Sequence, residues 1–196
     1  MEINKQSGEQ FIALMGQRRS HPRLEEPAPS DELMQSIFTA SLRAPDHMHL
    51  RPWRFLTIAG ADRAFLGELF AKDCKSNNPD ADAISLESAA NKAFRAPLIV
   101  VGVASYKDHD RVPKIEQSIA VAGVLHNMGM AVYASGFGSV WRTGPYASSA
   151  TIKQGLGLTE GEEIVGYLYV GTPSKADRPL KPISAEDFFS AWPDIK

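Results

Sequence analysis

The chain has 196 residues, 43% of them hydrophobic and 22% charged, with a formal net charge of -2. That is sequence for one globular domain able to bury a core without disulfides or metals, and it excludes a bulk electrostatic pull on nucleic acid or anionic lipid, so any anion site must be local. Its one cysteine, Cys74, excludes an intramolecular disulfide and a cysteine-based zinc site and fits a reducing compartment.

In chain order, the polar start MEINKQSGEQ lacks the apolar core of a cleaved signal, and the expected location is cytoplasmic. Ser7 caps a first helix with Gln10 at the capping-box position; Phe11, Ile12 and Met15 give it an apolar face that ends near Arg18 and Arg19. A second helix runs from Ser30 to about Arg43, with Leu33, Ile37 and Phe38 on one side, and stops before Pro45. Trp53 to Ala59 reads as a strand, and Asp62 opens a helix carrying Phe65, Leu66, Leu69 and Phe70. KSNNPDAD then reads as a surface loop, with Cys74 just before it outside the helix.

Pro97 to Ala104 is a continuous apolar run of strand length, as expected of a central strand covered on both faces. Ser118 to Ser135 carries no charge, yet His126, Asn127 and two glycines sit within it, so it reads as a helix buried in a core or subunit interface rather than a membrane span. Gly136 follows as a C-terminal residue of positive φ. Phe137 to Arg142 and Ile164 to Val170 read as strands. The expectation is a single domain over residues 1–196, α+β or α/β, with an extended arm from about 173 to 196 and a short last helix near Phe188.

Familiar catalytic signatures are missing: there is no G-x-S-x-G, no Walker A and no H-E-x-x-H. Gly136-Phe137-Gly138 lacks the third glycine of a dinucleotide fingerprint and lies in the reverse order, between a helix and a strand. His47 and His49 beside Asp46 form an H-x-H without further ligands, so no metal is expected. What stands out is arginine beside small polar residues at element ends: Arg18-Arg19-Ser20, Arg43 in RAPDH, and Trp141-Arg142-Thr143. Guanidinium and hydroxyl groups suit a phosphate monoester. Cations at helix ends also complement the helix dipole, and spacing alone leaves both readings open.

These motifs, with Pro52-Trp53, Phe94 to Ile99 and Gly166 to Pro173 in the same order, resemble the nitroreductase family, in its compact YdjA-like branch. The resemblance spans nearly the whole chain. It implies an α+β fold with a mixed central sheet flanked by helices, and an intimate homodimer with FMN at the subunit interface. Arg18, Arg19 and Ser20 would hold the FMN phosphate and ribityl side, joined by Trp141, Arg142 and Thr143, while Arg43 and His47 would come from the other subunit. The run Ala131, Val132, Tyr133, Ala134, Ser135 and Gly136 would meet the nicotinamide donor, NADH or NADPH. No side chain would act as a catalytic nucleophile, since the chemistry lies at the flavin N5. Ping-pong transfer to a small-molecule acceptor such as a nitroaromatic or quinone follows, with neither nucleic acid nor membrane as partner. Two other readings remain open: a flavin-binding sensor or storage protein without efficient turnover, and a helical interaction protein built on Ser118 to Ser135. The family commonly has glutamine before the Pro-Trp pair where Arg51 stands here, and Thr143 replaces a serine.

Overall fold

The computed structural model describes residues 5–193; residues 1–4, part of the polar start, and 194–196, the end of the expected arm, lie outside it. The elements are α1 (Lys5–Gln17), β1 (Leu24–Glu25), α2 (Asp31–Ser41), β2 (Trp53–Ala59), α3 (Asp62–Asn77), α4 (Ala83–Ala90), β3 (Leu98–Ser105), α5 (Lys114–Ala134), β4 (Gly138–Arg142), α6 (Pro145–Ser148), α7 (Ala150–Gly155) and β5 (Glu162–Pro173). The α+β architecture is as expected, but the sheet, expected to be mixed, shows no parallel pair among the described residues. Among the described residues every strand pairing is antiparallel: β5 pairs β3, β4 and β1, and β2 closes the far side of β3.

Side-chain alternation on β3 and β5 builds two cores from one sheet. Ile99, Val101, Val103, Tyr167 and Tyr169 meet Leu66 and Phe70 of α3 and Ile152 of α7. Leu98, Val100, Leu168 and Val170 meet Leu125, Met128 and Val132 of α5 and Met34 and Ile37 of α2. The continuous apolar run of β3 is thus buried on both faces, as its sequence suggests.

Local chemistry explains several boundaries. Ser30 Oγ accepts from the Leu33 amide at the start of α2, and Gly136, with φ of 83°, carries the chain out of α5. Three expectations need correction. Ser7 does not cap the first helix: α1 already includes Lys5, so Ser7 and Gln10 both lie inside it. The last turn of α3 extends through Lys75 and Asn77, placing Cys74 inside the helix and half-buried. Tertiary bonds hold that turn: buried Asp73 accepts from Ser149 Oγ, and Lys75 Nζ donates to the Ala81 carbonyl at 3.2 Å. The expected last helix near Phe188 is a single 3-10 turn, Ala185–Asp187.

α5 starts four residues earlier than its uncharged run. Buried Gln117 fixes this: its side chain accepts from Lys107 N at 2.8 Å and donates to the carbonyls of Lys107 and Val112 at 2.8 and 3.0 Å. Among the described residues no helix is long and apolar enough to cross a membrane.

One ion pair ties β2 to the start of β5. Arg54 Nε and Nη2 donate to Glu162 at 2.6 and 2.8 Å, and the Thr159 amide donates to the same carboxylate at 3.0 Å. These donors, the Arg54 guanidinium first, hold the Glu162 carboxyl down to about 2 from its ordinary 4.5, against the opposing effect of burial. Because the folded value is depressed, the stability contributed is full above the ordinary glutamate range and is lost as pH falls from about 4.5 towards 2. Glu162→Gln should cost about 1–3 kcal/mol at pH 7 by urea denaturation and flatten the acid limb of the stability profile. An acid limb unchanged in the variant would assign the acid sensitivity elsewhere.

Candidate functional site

After α1 the chain turns at Arg18 and runs beside the sheet, where the His21 amide donates to the Ser139 carbonyl of β4 at 2.9 Å. The segment after β5 returns alongside it. Between them lies a cleft of about 490 Å³ lined by residues 19–23 and 173–180. It gathers Arg19, Arg23, Lys175 and Arg178 against a single carboxylate, Asp177. Asp177 engages Arg19 Nε at 3.3 Å and His21 Nε2 at 2.9 Å, and Arg19 also donates to the Arg178 carbonyl. Among the described residues, Arg23, Lys175 and Arg178 have no carboxylate within 4.0 Å. His21 Nδ1 is buried without a hydrogen-bond partner, an orphan polar atom beside the cationic cleft.

Ser20 joins this cleft to a smaller one of about 200 Å³, bounded by Arg18, by Leu125, His126 and Gly129 of α5, and by Ser139, Trp141 and Leu168 of the sheet. The Trp141 indole lies across Gly166 of β5, where a Cβ would collide with the indole nitrogen. Glycine at 166 is therefore what lets the ring lie against the strand.

Strand alternation divides the tryptophan-arginine pair. Trp141 is opposite Leu168 and Arg142 opposite Tyr167, so the two side chains leave β4 on opposite faces. The Arg142 guanidinium lies 5.7 Å from the Tyr169 ring centroid and Nη2 donates to the Pro22 carbonyl at 3.5 Å. Arg142 and Thr143 line a different hollow, with Lys92, Arg95 and Tyr146; Trp141 borders both. The structure thus brings Arg18, Ser20 and Trp141 together, and Arg19 with Ser20, but does not bring Arg142 and Thr143 into those clefts.

Arg43 and His47 stand apart from both clefts in the same chain. Arg43 is exposed after α2, and His47 Nδ1 pairs with Glu116 Oε2 in the first turn of α5 at 2.8 Å. The adjoining turn is strained, with Met48, His49 and Arg51 at φ of 60°, 54° and 48°. Asp46 Oδ2 clamps it by accepting from the Arg51 amide at 2.7 Å. Ala131, Val132, Tyr133 and Ala134 form the last turn of α5 and Ser135 and Gly136 its exit; Ser135 Oγ donates back to the Ala131 carbonyl at 2.8 Å.

Arg23, Lys175 and Arg178 line this cleft without having been singled out in the sequence reading. For the last two the signal was the mixture of cations and prolines in KADRPLK, which reads as an ordinary exposed arm until the fold lays it against Arg19.

A family profile described as the nitroreductase family matches residues 15–172. "Putative NAD(P)H nitroreductase YdjA" of Escherichia coli (strain K12) is 39% identical over 162 residues, covering 83% of this chain and 87% of the relative. "Putative NAD(P)H nitroreductase" of Haemophilus influenzae is 30% identical over 180 residues, covering 90% of this chain and 96% of the relative. Among solved structures, a nitroreductase-like protein from Bacillus cereus superposes with a TM-score of 0.81 at 20% identity over 97% of this chain and 98% of the other. One from Desulfovibrio desulfuricans, determined in complex with FMN, gives 0.70 at 20% identity over the same shares. By profile, by identity and by fold, this chain belongs to the nitroreductase family.

Proposed function

We propose that this protein is an FMN-dependent oxidoreductase that takes reducing equivalents from NADH or NADPH and delivers them to an electron-poor acceptor such as a nitroaromatic or quinone. The observation that carries this reading is the cleft of Arg19, Arg23, Lys175 and Arg178, with one carboxylate among them, opening at Ser20 onto Trp141. Such a local excess of planar and ammonium donors suits a phosphate dianion, and the orphan His21 Nδ1 beside it adds an unsatisfied polar atom. The names of the relatives support NAD(P)H as donor, and the flavin in the Desulfovibrio structure supports FMN.

FMN, when bound, supplies the hydride acceptance and donation that no side chain can perform. The chain's own task is to grip and orient. Arg19, Arg23, Lys175 and Arg178 would hold the phosphate with the Ser20 hydroxyl, while Asp177 keeps Arg19 and His21 in place. Arg18 and Trp141 wall the adjoining space. Arg142, on the other face of β4, and Thr143, just beyond its end, line a separate hollow. A single open site that receives donor and acceptor in turn gives ping-pong kinetics.

Homodimer formation follows from what one chain leaves uncovered. Phe11, Ile12 and Met15 of α1, Ile115 and Ile119 of α5, and Phe188, Phe189 and Trp192 of the arm are all exposed. Apolar faces of this extent mark an interface, and a second copy is the simplest cover. Arg43 and His47, which line neither cleft of their own chain, would then serve the site of the other copy, and the end of α5, Ala131 to Gly136, would meet the nicotinamide donor.

Purified protein should carry noncovalent FMN, identified by chromatography after heat release. A Lys175→Ala, Arg178→Ala double variant should bind FMN more weakly, by about 1.5–3 kcal/mol for each charge-assisted hydrogen bond to the phosphate that is removed, with its melting temperature little changed in the absence of flavin. FAD, or no flavin after reconstitution, would sink the reading.

Shared sites make a second test. A mixed dimer of one Arg43→Ala subunit and one Arg19→Ala subunit carries both lesions at one site and neither at the other, and should regain about half of normal turnover. A fully active, flavin-loaded monomer on sedimentation would overturn the dimeric arrangement.

A further inference from the structure

On the sheet face opposite α5, the hollow of about 380 Å³ that takes Arg142 also holds Lys92 and Arg95. No carboxylate lines it, and among the described residues none of these three cations has an acid within 4.0 Å. Glu87 borders a neighbouring hollow on the far side of Arg95 without forming an ion pair. Three cations in one concavity repel one another unless an anion sits between them.

Lys92 and Arg142 are also held in place before any ligand arrives, while Arg95 is exposed at the rim of the hollow. Phe70 stacks on Tyr146 with centroids 4.1 Å apart and planes 9° apart, and the Tyr167 hydroxyl donates to the Tyr146 carbonyl at 3.1 Å. Lys92 Nζ donates to the Tyr146 hydroxyl at 3.0 Å. Arg142 lies over Tyr169, and its Nε is buried with no hydrogen-bond partner, a donor left unsatisfied at a cost. Arg95 and Arg142 both face Tyr169 closely enough to oppose the rise that burial imposes on its hydroxyl, which still stands at about 12.

We infer that Lys92, Arg95 and Arg142 form a second anion site, which takes the phosphate group of a small organic phosphate. Two guanidiniums and an ammonium match the several oxygens of a phosphate monoester better than the two of a carboxylate. A hollow of this volume also exceeds what a bare inorganic ion fills and lies in the range of small-molecule pockets. None of the three cations lines the Arg19–Lys175 cleft, but Arg95 and Arg142 share a neighbouring hollow with Pro22 and Arg23 of that cleft, so the site is tested with the flavin in place.

The test is isothermal titration of FMN-saturated protein with phenyl phosphate, inorganic phosphate and benzoate. Phenyl phosphate should bind once per chain, more tightly than either of the others. Lys92→Gln and Arg95→Gln should each weaken it about tenfold, as expected when one charge-assisted hydrogen bond is removed, with FMN content and turnover in phosphate-free buffer unchanged. No measurable binding, or equal binding by wild type and both variants, would overturn the site. So would binding seen in flavin-stripped protein and abolished by FMN, which assigns the probe to the flavin cleft. Benzoate or inorganic phosphate bound as tightly as phenyl phosphate would overturn the assignment to an organic phosphate. Loss of FMN from either variant with phenyl phosphate binding intact would overturn the site and assign that cation to the flavin.

Discussion

Strand β5 is buried on both faces from Gly166 to Gly171 while pairing with β3 and β4, and its two-residue alternation sets the position of almost everything else. Leu168 and Val170 point to α5, and Tyr167 and Tyr169 point to α3 and α7. A one-residue slip in this register would exchange the two cores and turn the tyrosine hydroxyls towards the apolar helix. The β4 register copies the alternation outward, so the chemistry of the site is divided by it: Trp141 goes to the α5 side and Arg142 to the tyrosine side.

The same register brings an early and a late segment of the chain together. β1 pairs with Thr172 and Pro173 at the end of β5, which sets the segment after α1 beside the segment after β5. The cationic cleft is the space between these two segments, and Asp177 pins one to the other through Arg19 and His21. Cation from both segments therefore accumulates locally in a chain whose total charge is slightly negative. This is why overall charge says little about the ligand.

α1 and the arm share a different property: each carries large apolar side chains and covers almost none of them within its own chain. A helix with no buried residue and a tail ending in exposed aromatics make little sense for a monomer, since ordering them costs conformational entropy without local burial. On the dimeric reading they become sensible together with Arg43 and His47, which line neither cleft of their own chain.

Much of the local structure was legible in the residues. The helix start at Ser30, Gly136 as a helix exit, the strand Trp53 to Ala59 and the doubly buried run of β3 all follow from local propensity, backbone freedom and periodicity, which act within a few residues. The motif order carried the family as well. Of the candidate site, Arg18, Ser20 and Trp141 were legible as a group that the fold then brought together. Only the tertiary structure decided that Asp73 and Ser149 would carry α3 through Asn77, that Lys175 and Arg178 would face Arg19, and that Trp141 would take the α5 side and Arg142 the tyrosine side. Each of these depends on contacts between residues far apart in the chain or on which face of a strand meets which helix, and neighbouring residues hold no record of either.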